Sequence, residues 1–295
     1  MNHLVIVDGH AVAHRAYHSI PPLSHNGQPV NAIYGFYSML LTAIDTLKPD
    51  HLAVCLDSPG PTFRQSEFIG YRAKRKPSDQ DLVSQLPLLP QTLAISTIPS
   101  LALGGYEADD LIATLVAQNK DKVSDITIIT GDKDLMQLVD EKVCLFMPIQ
   151  GLSVTKIIKP DDVRVKLGIS PSQVIDLKAL MGDMSDNYPG VAGIGPKVAT
   201  DLLSQFGTLD NIYKNLDKIK PSIVEKLSKY KENAYLSQKL ATLIDNIPLD
   251  FDFDTADFND DKIVGLSNLF KQYNFKSLLN RLKINDKKIE KLSLF

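Results

Sequence analysis

The first half of this 295-residue chain alternates short β-rich runs with helix-like segments, and the runs end on acidic residues. Runs of Leu, Val and Ile at 4–7, 52–56 and 126–129 predict strands, while apolar spacing at 33–47, 109–118 and 135–139 predicts helices. Strands separated by crossover helices form a parallel sheet. In an open sheet of this kind ligands bind beyond the carboxyl ends of the strands. Asp8, Asp57 and Asp132, each just past a run, therefore fall on one rim.

Residues 58–76 interrupt this pattern with Pro, Gly and a basic cluster, Arg64, Arg72, Lys74, Arg75 and Lys76, set against the single acid Glu67. The segment reads as an insertion rather than a crossover helix. From Pro171 onward the pattern is helical: 172–181, a glycine-rich turn, 196–206, lysine-rich segments around 214–231, and an amphipathic stretch at 262–282 after an acidic passage at 250–261. The expected organisation is thus an α/β unit at 1–165, with an arch at about 64–100, followed by a helical region at 166–295. No apolar run approaches the roughly 18–20 residues needed to span a bilayer, and the N-terminus has neither a basic leader nor a long apolar segment. Two cysteines, Cys55 and Cys144, exclude a disulfide framework by count, and a reducing cytoplasm is expected.

The acids carry the chemistry. Asp8, Asp57, Glu107, Asp109, Asp110, Asp132, Asp134, Asp183 and Asp186 stand in short clusters. Any one cluster could be an Asx turn or a helix-start acid. Several carboxylates on one rim repel one another and raise each other's pKa, so a cation is needed among them. Hard oxygen donors without His or Cys select Mg²⁺ or Mn²⁺ over Zn²⁺. Two such ions about 4 Å apart activate a water and stabilise the leaving oxygen in phosphodiester cleavage. The net charge of −3, from 32 basic and 35 acidic residues, disfavours a nucleic-acid partner at face value. With nine acids assigned to one site, the rest of the chain carries +6, a surface able to hold DNA.

A second motif, Gly190-Val191-Ala192-Gly193-Ile194-Gly195-Pro196-Lys197, lies between two predicted helices. Glycines admit a phosphate close to the backbone, the next helix presents free N–H groups and Lys197 adds charge, so the turn suits a sugar-phosphate backbone. An ordinary helix-turn-helix corner is the competing reading.

Taken in order, Val7-Asp8-Gly9-His10, Leu56-Asp57, Tyr71-Arg72-Ala73-Lys74-Arg75, Gly105-Tyr106-Glu107-Ala108-Asp109-Asp110, Gly131-Asp132-Lys133-Asp134 and Gly182-Asp183-Met184-Ser185-Asp186 resemble the 5′-nuclease domains of bacterial DNA polymerase I, within the flap endonuclease family. The resemblance covers about residues 1–285. It implies an α/β fold with a PIN-like core around a mainly parallel sheet, a helical arch insertion and a helix-three-turn-helix DNA module at about 171–207. It implies a structure-specific 5′ nuclease, acting as exonuclease and flap endonuclease on branched or 5′-ended duplex DNA in primer removal and repair. It also implies two Mg²⁺ ions held by the nine acids, with Mn²⁺ able to substitute, and K⁺ at the hairpin. Arg72, Arg75 and Arg15 would act on the scissile phosphate, and Tyr34, Arg64, Lys74, Gly190, Val191, Gly193, Ile194, Gly195 and Lys197 would contact DNA. Arg72 stands where a lysine is common in the family, which changes donor geometry while keeping the charge. The implied setting is a monomer in the bacterial cytoplasm, associated with the nucleoid and linked to DNA polymerase I and ligase.

Some residues stay open. Tyr34 suits base stacking or helix packing, and core packing is favoured for Phe36. His10, His14, His18 and His25 lack a zinc pattern and read as structural or as weak DNA contacts. Lysines at 214–231 and 271–288 are solvated faces, or some track duplex phosphates. A non-catalytic branched-DNA-binding protein and a PIN-type ribonuclease are the rival functions, the first predicting lost acids and the second lacking use for the hairpin module.

Overall fold

The structure, a computed structural model, describes residues 2–282. Its strands are β1 (His3–Asp8), β2 (Ser24–His25), β3 (Gln28–Pro29), β4 (His51–Cys55), β5 (Ser100–Leu101), β6 (Asp125–Ile129), β7 (Val143–Gln150) and β8 (Val154–Ile158). The α-helices of the first half are α1 (Gly9–Ser19), α2 (Asn31–Leu47), α3 (Phe63–Glu67), α4 (Gln80–Gln85), α5 (Leu88–Ile95) and α6 (Ala108–Asn119). Those of the second half are α7 (Pro160–Leu167), α8 (Val174–Met181), α9 (Pro196–Phe206), α10 (Leu209–Lys214), α11 (Pro221–Lys229), α12 (Lys231–Ala241) and α13 (Asp260–Gln272).

Six strands form one sheet in the order β5-β4-β1-β6-β7-β8, parallel except for the antiparallel β7–β8 edge. Alternate side chains of β1 enter opposite cores. Leu4 and Ile6 pack with α6 and the helical half, whereas Val5 and Val7 pack with α1 and α2. A sheet covered on both faces needs apolar residues at every position, which is why the central strands read as continuous Val, Ile and Leu runs. The strand order reverses between β1 and β6, so a crevice opens beyond their carboxyl ends.

The predicted central strands are observed, and the predicted helix at 135–139 is a short 3₁₀ turn at Asp134–Leu138. Two parts differ from expectation. Within the expected arch, Leu88, Leu89 and Leu93 of α5 are buried beneath α2 and α13, so the second half of that segment belongs to the core. The end of the described chain also returns to the first half: Phe258 N–H bonds Asp50 O at 2.8 Å, and Leu266, Leu269, Phe270 and Leu278 fill the core beside Val5 and Val54. Apolar burial draws both segments in, whatever their position in sequence. Lys283, Lys287 and Lys288 of the lysine-rich end lie outside the described residues.

Candidate active site

Asp8 closes β1 and caps α1. Its Oδ1 accepts the Ala11 N–H at 3.1 Å and its Oδ2 the Thr130 hydroxyl at 2.7 Å. Thr130, which follows β6, also accepts the Asp132 N–H at 2.9 Å, and Asp132 in turn accepts the Asp134 N–H at 2.8 Å. Asp57, which lies just beyond β4, accepts the Ala108 N–H at the start of α6 at 2.9 Å, and its own N–H bonds His10 Nδ1 at 3.0 Å. The ends of three neighbouring strands and the N-terminus of α6 thus bring Asp8, Asp57, Asp109, Asp132 and Asp134 together, as the strand-end pattern predicts.

Their charges are under strain. Burial, reinforced by Asp57 and Asp132, raises Asp8 to about 7 despite its hydrogen bonds. Burial pushes Asp109 well up, helped by Asp8, Asp132, Asp57 and Asp134. Asp134 is raised to about 6 by burial and Asp132, against the pull of Lys178. Lys178 of α8 reaches both Asp134 and Asp183, the latter at 2.7 Å. Burial alone would lower Lys178, but Asp134, Tyr188 and Asp183 outweigh it and hold the ammonium above its ordinary range. Asp183, although burial opposes it, is brought down to about 2 by Lys178 and the Ser185 donors.

A second group of acids faces the basic insertion. Glu107 accepts the Tyr71 hydroxyl at 3.1 Å and pairs with Arg72 at 2.9 Å. Asp186 accepts Tyr71 at 3.1 Å, Arg72 at 3.2 Å and Arg75 at 2.7 Å. Arg72 adopts φ 56°, a left-handed conformation costly for a non-glycine residue, and its N–H bonds Asp186 O at 2.8 Å.

Two expectations are corrected by burial. Arg64 is 1% exposed and gives its donors to Asp110, Glu107 and the carbonyls of Leu240 and Thr242, so it faces the interior rather than a DNA surface. Asp110 is fully buried, and both its oxygens are taken by Arg64 and by the amides of Glu107 and Ile244. It is a counter-ion, with no lone pair turned toward the rim. Arg15 lines the acidic cleft, but its guanidinium bonds Ile149 O and Gly151 O at 3.3 and 3.4 Å, bracing the β7–β8 turn. The nine acids are therefore not one cluster. Among the described residues no three His, Cys, Asp or Glu side chains close into a cage for one ion, and the chain's own cations partner Glu107, Asp186, Asp134 and Asp183. The rim still fits a hard divalent cation, since Asp8, Asp57, Asp109, Asp132, Asp134 and Asp183 offer only oxygen donors and three are held above their ordinary pKa.

The hairpin places Ala192, Gly193, Gly195, Pro196 and Lys197 on the surface, while Val191 and Ile194 are buried anchors. Gly190 is also inward: its N–H bonds Ser237 Oγ at 3.0 Å, and a Cβ there would sit 2.1 Å from the Gly182 nitrogen. Lys74 is exposed in the arch. Tyr34 packs edge-on to Phe275 and bonds Ser277 at 2.7 Å, and Phe36 is fully buried. Sequence reasoning missed Lys178, Tyr71 and Thr130 as site residues. The available signal for Lys178 was a lone cation in the otherwise apolar or acidic α8 sequence, VIDLKALM.

No helix among the described residues is long and apolar enough to cross a membrane. A family model described as the 5′-3′ exonuclease N-terminal resolvase-like domain matches residues 3–168, and one described as the 5′-3′ exonuclease C-terminal SAM fold matches residues 169–263. DNA polymerase I of Caldicellulosiruptor bescii is 42% identical over 289 residues, covering 96% of this chain and 34% of that protein. The thermostable DNA polymerase I of Thermus filiformis is 38% identical over 280 residues, covering 94% of this chain and 33% of that protein. The chain spans about a third of the length of these curated relatives. Among solved structures, the T5 5′-exonuclease with bound zinc shares the fold at a TM-score of 0.68 and 22% identity, covering 95% of this chain and 100% of that one. Human GEN1 in complex with Holliday junction DNA does so at a TM-score of 0.58 and 15% identity, covering 97% and 73%. With adjoining family models matched over residues 3–168 and 169–263 and the acids gathered where the sheet order reverses, this chain belongs to the 5′-3′ exonuclease family.

Proposed function

We propose that the chain is a metal-dependent 5′ nuclease that removes 5′ flaps and 5′-terminal nucleotides from branched or 5′-ended duplex DNA. The observation that carries this reading is the rim of carboxylates, three of them held above their ordinary pKa, with arch arginines on one side. Asp8, Asp57, Asp109, Asp132, Asp134 and Asp183 would hold two Mg²⁺ ions, for which Mn²⁺ substitutes. Such ions supply an activated water and neutralise charge on the phosphoryl group. The exposed backbone of Gly193 and Gly195 and the Lys197 side chain grip the duplex phosphates, with K⁺ at the hairpin. Arg72 and Arg75 exchange the carboxylates of Glu107 and Asp186 for the scissile phosphate as the 5′ strand enters, offsetting its developing charge. Lys178 holds Asp134 and Asp183 in register before the ions arrive. The protein works as a monomer in the bacterial cytoplasm, with nucleoid association and a link to polymerase and ligase activities in primer removal and repair.

The test is cleavage of a labelled 5′-flap duplex with Mg²⁺, with EDTA and with Asp134→Ala, read beside DNA binding. Metal-dependent cuts near the flap junction are expected, reduced at least about 100-fold in the variant while DNA binding persists. Tight flap binding without cleavage in Mg²⁺ or Mn²⁺ would make the chain a binding protein instead.

A further inference from the structure

His10, His14 and His18 lie one turn apart on a single face of α1. His10 is engaged by the Asp57 N–H, but no hydrogen bond occupies the ring nitrogens of His14 or His18 among the described residues. His14 is pushed below the ordinary histidine range by burial and then by His10, His18 and Arg75, with Asp57 opposing. His14 thus sits among positive or proton-accepting groups, with Asp57 acting against them and Arg75 held by Asp186 at 2.7 Å.

These two histidines join Arg75 and Lys76 in the wall of a cleft of about 460 Å³ at the foot of the arch. Asp79 is the one acid in that lining, and the Tyr17 hydroxyl engages it. His14 and His18 also line the larger acidic cleft with Asp132, Asp134 and Asp183. One helix face therefore separates an acidic compartment from a basic one.

We propose that His14, His18 and Lys76 of this pocket bind the terminal phosphate monoester of the 5′ strand, Arg75 being left to the scissile phosphate, an inference that rests on the nuclease reading. A phosphate monoester carries close to two charges near neutral pH and three strong acceptor oxygens, which suits several converging donors better than a phosphodiester does. At 1.5 Å of rise per residue, the midpoint of His14 and His18 lies about 12 Å along α1 from Asp8. A strand end held there is separated from the acid rim by a short single-stranded reach, so the pocket serves the shortest flaps.

The proposal is tested by fluorescence anisotropy in EDTA, using duplexes with a one- or two-nucleotide 5′ flap ending in either phosphate or hydroxyl. The wild-type chain is expected to favour the phosphate-ended DNA by about tenfold. His14→Gln combined with His18→Gln should bind both DNAs alike, at the affinity of the hydroxyl-ended one. Equal wild-type affinity for the two ends would overturn the proposal, as would a preference that survives the double substitution. Inorganic phosphate displacing both DNAs equally would assign the pocket to a free anion and overturn it too. Cleavage of the hydroxyl-ended substrate in Mg²⁺ is followed in parallel. Its absence would remove the nuclease reading, whereas cleavage without end preference removes only the pocket.

Discussion

Replacing Arg64 with methionine keeps much of the volume of its stem and deletes a buried guanidinium whose nitrogens bond Asp110 at 2.7 and 2.8 Å, Glu107 at 3.3 Å, Leu240 O at 2.9 Å and Thr242 O at 3.2 Å. The two carbonyls belong to the carboxyl end of α12, where a cation also meets the negative pole of the helix. Asp110 has no exposure to water, and after the substitution only the amides of Glu107 and Ile244 would remain on its charge. Removing one member of a buried pair costs about 3–5 kcal/mol. For a cooperative unit of this size the entropy of unfolding is ~0.6 kcal/mol/K, so Tm should fall by roughly 5–8 °C. Adding Asp110→Asn removes the stranded charge and should recover at least half of that loss. Circular dichroism melts in EDTA measure the shift, and a salt series of DNA affinity measures phosphate contacts. The salt slope should not change, since a guanidinium enclosed by protein releases no counterions from DNA. A Tm loss under about 2 °C together with a slope shallower by about 1 would refute the reasoning and return Arg64 to the DNA face.

Metal-free protein should lose stability as pH rises from about 4 toward 7. Asp8 at about 7 and Asp134 at about 6 keep protons that the unfolded chain has already released, so ionising them opposes folding. Asp183 at about 2 acts in the opposite sense, its contribution being lost only as pH falls toward that value. Differential scanning fluorimetry in EDTA checks the trend, and a flat profile across that window contradicts it. Lys197→Ala should weaken DNA binding and reduce the slope of log affinity against log salt by about 1, an unchanged slope arguing against the hairpin as a phosphate grip. Gly190→Ala should cost at least about 2 kcal/mol by thermal melting, because a Cβ would meet the Gly182 backbone at 2.1 Å in a left-handed conformation. Wild-type stability in that variant would mean that the two glycines do not pack as described.

The central strands and the acids beyond them were legible because both signals are local. β1, β4 and β6 are buried on both faces, which demands apolar residues throughout, and the rim acids follow directly in sequence. The β7–β8 hairpin was harder to read, since Pro148 interrupts one strand and β8 is largely exposed at the sheet edge. α5 falls inside the segment that the resemblance gives to the arch; two prolines, at 87 and 90, obscure its short helix, and the burial of Leu89 and Leu93 depends on α13, a partner far along the chain. Cations clustered in sequence gave no clue to which would be enclosed: Arg64 is buried, whereas Lys74 and Lys76 are exposed.

The partners of the acids were invisible for the same reason, since they are set by tertiary distance. Arg64 finds Asp110 across 46 residues, and Arg72 finds Asp186 across 114. This pairing gives the arch its resting position. Tyr71, Arg72 and Arg75 together fasten the insertion to Glu107 of the sheet half and to Asp186 of the helical half, so the arch bridges the two acidic groups rather than standing free. A phosphate entering here must compete with carboxylates already in place at both arginines. Tyr71 is buried and its bonds to Glu107 and Asp186 need no arginine, so the foot of the arch can stay anchored while the two guanidinia change partners. On the proposed nuclease reading, an anchored foot and exchangeable arginines would let one short segment carry charge to the substrate without losing its place on the fold.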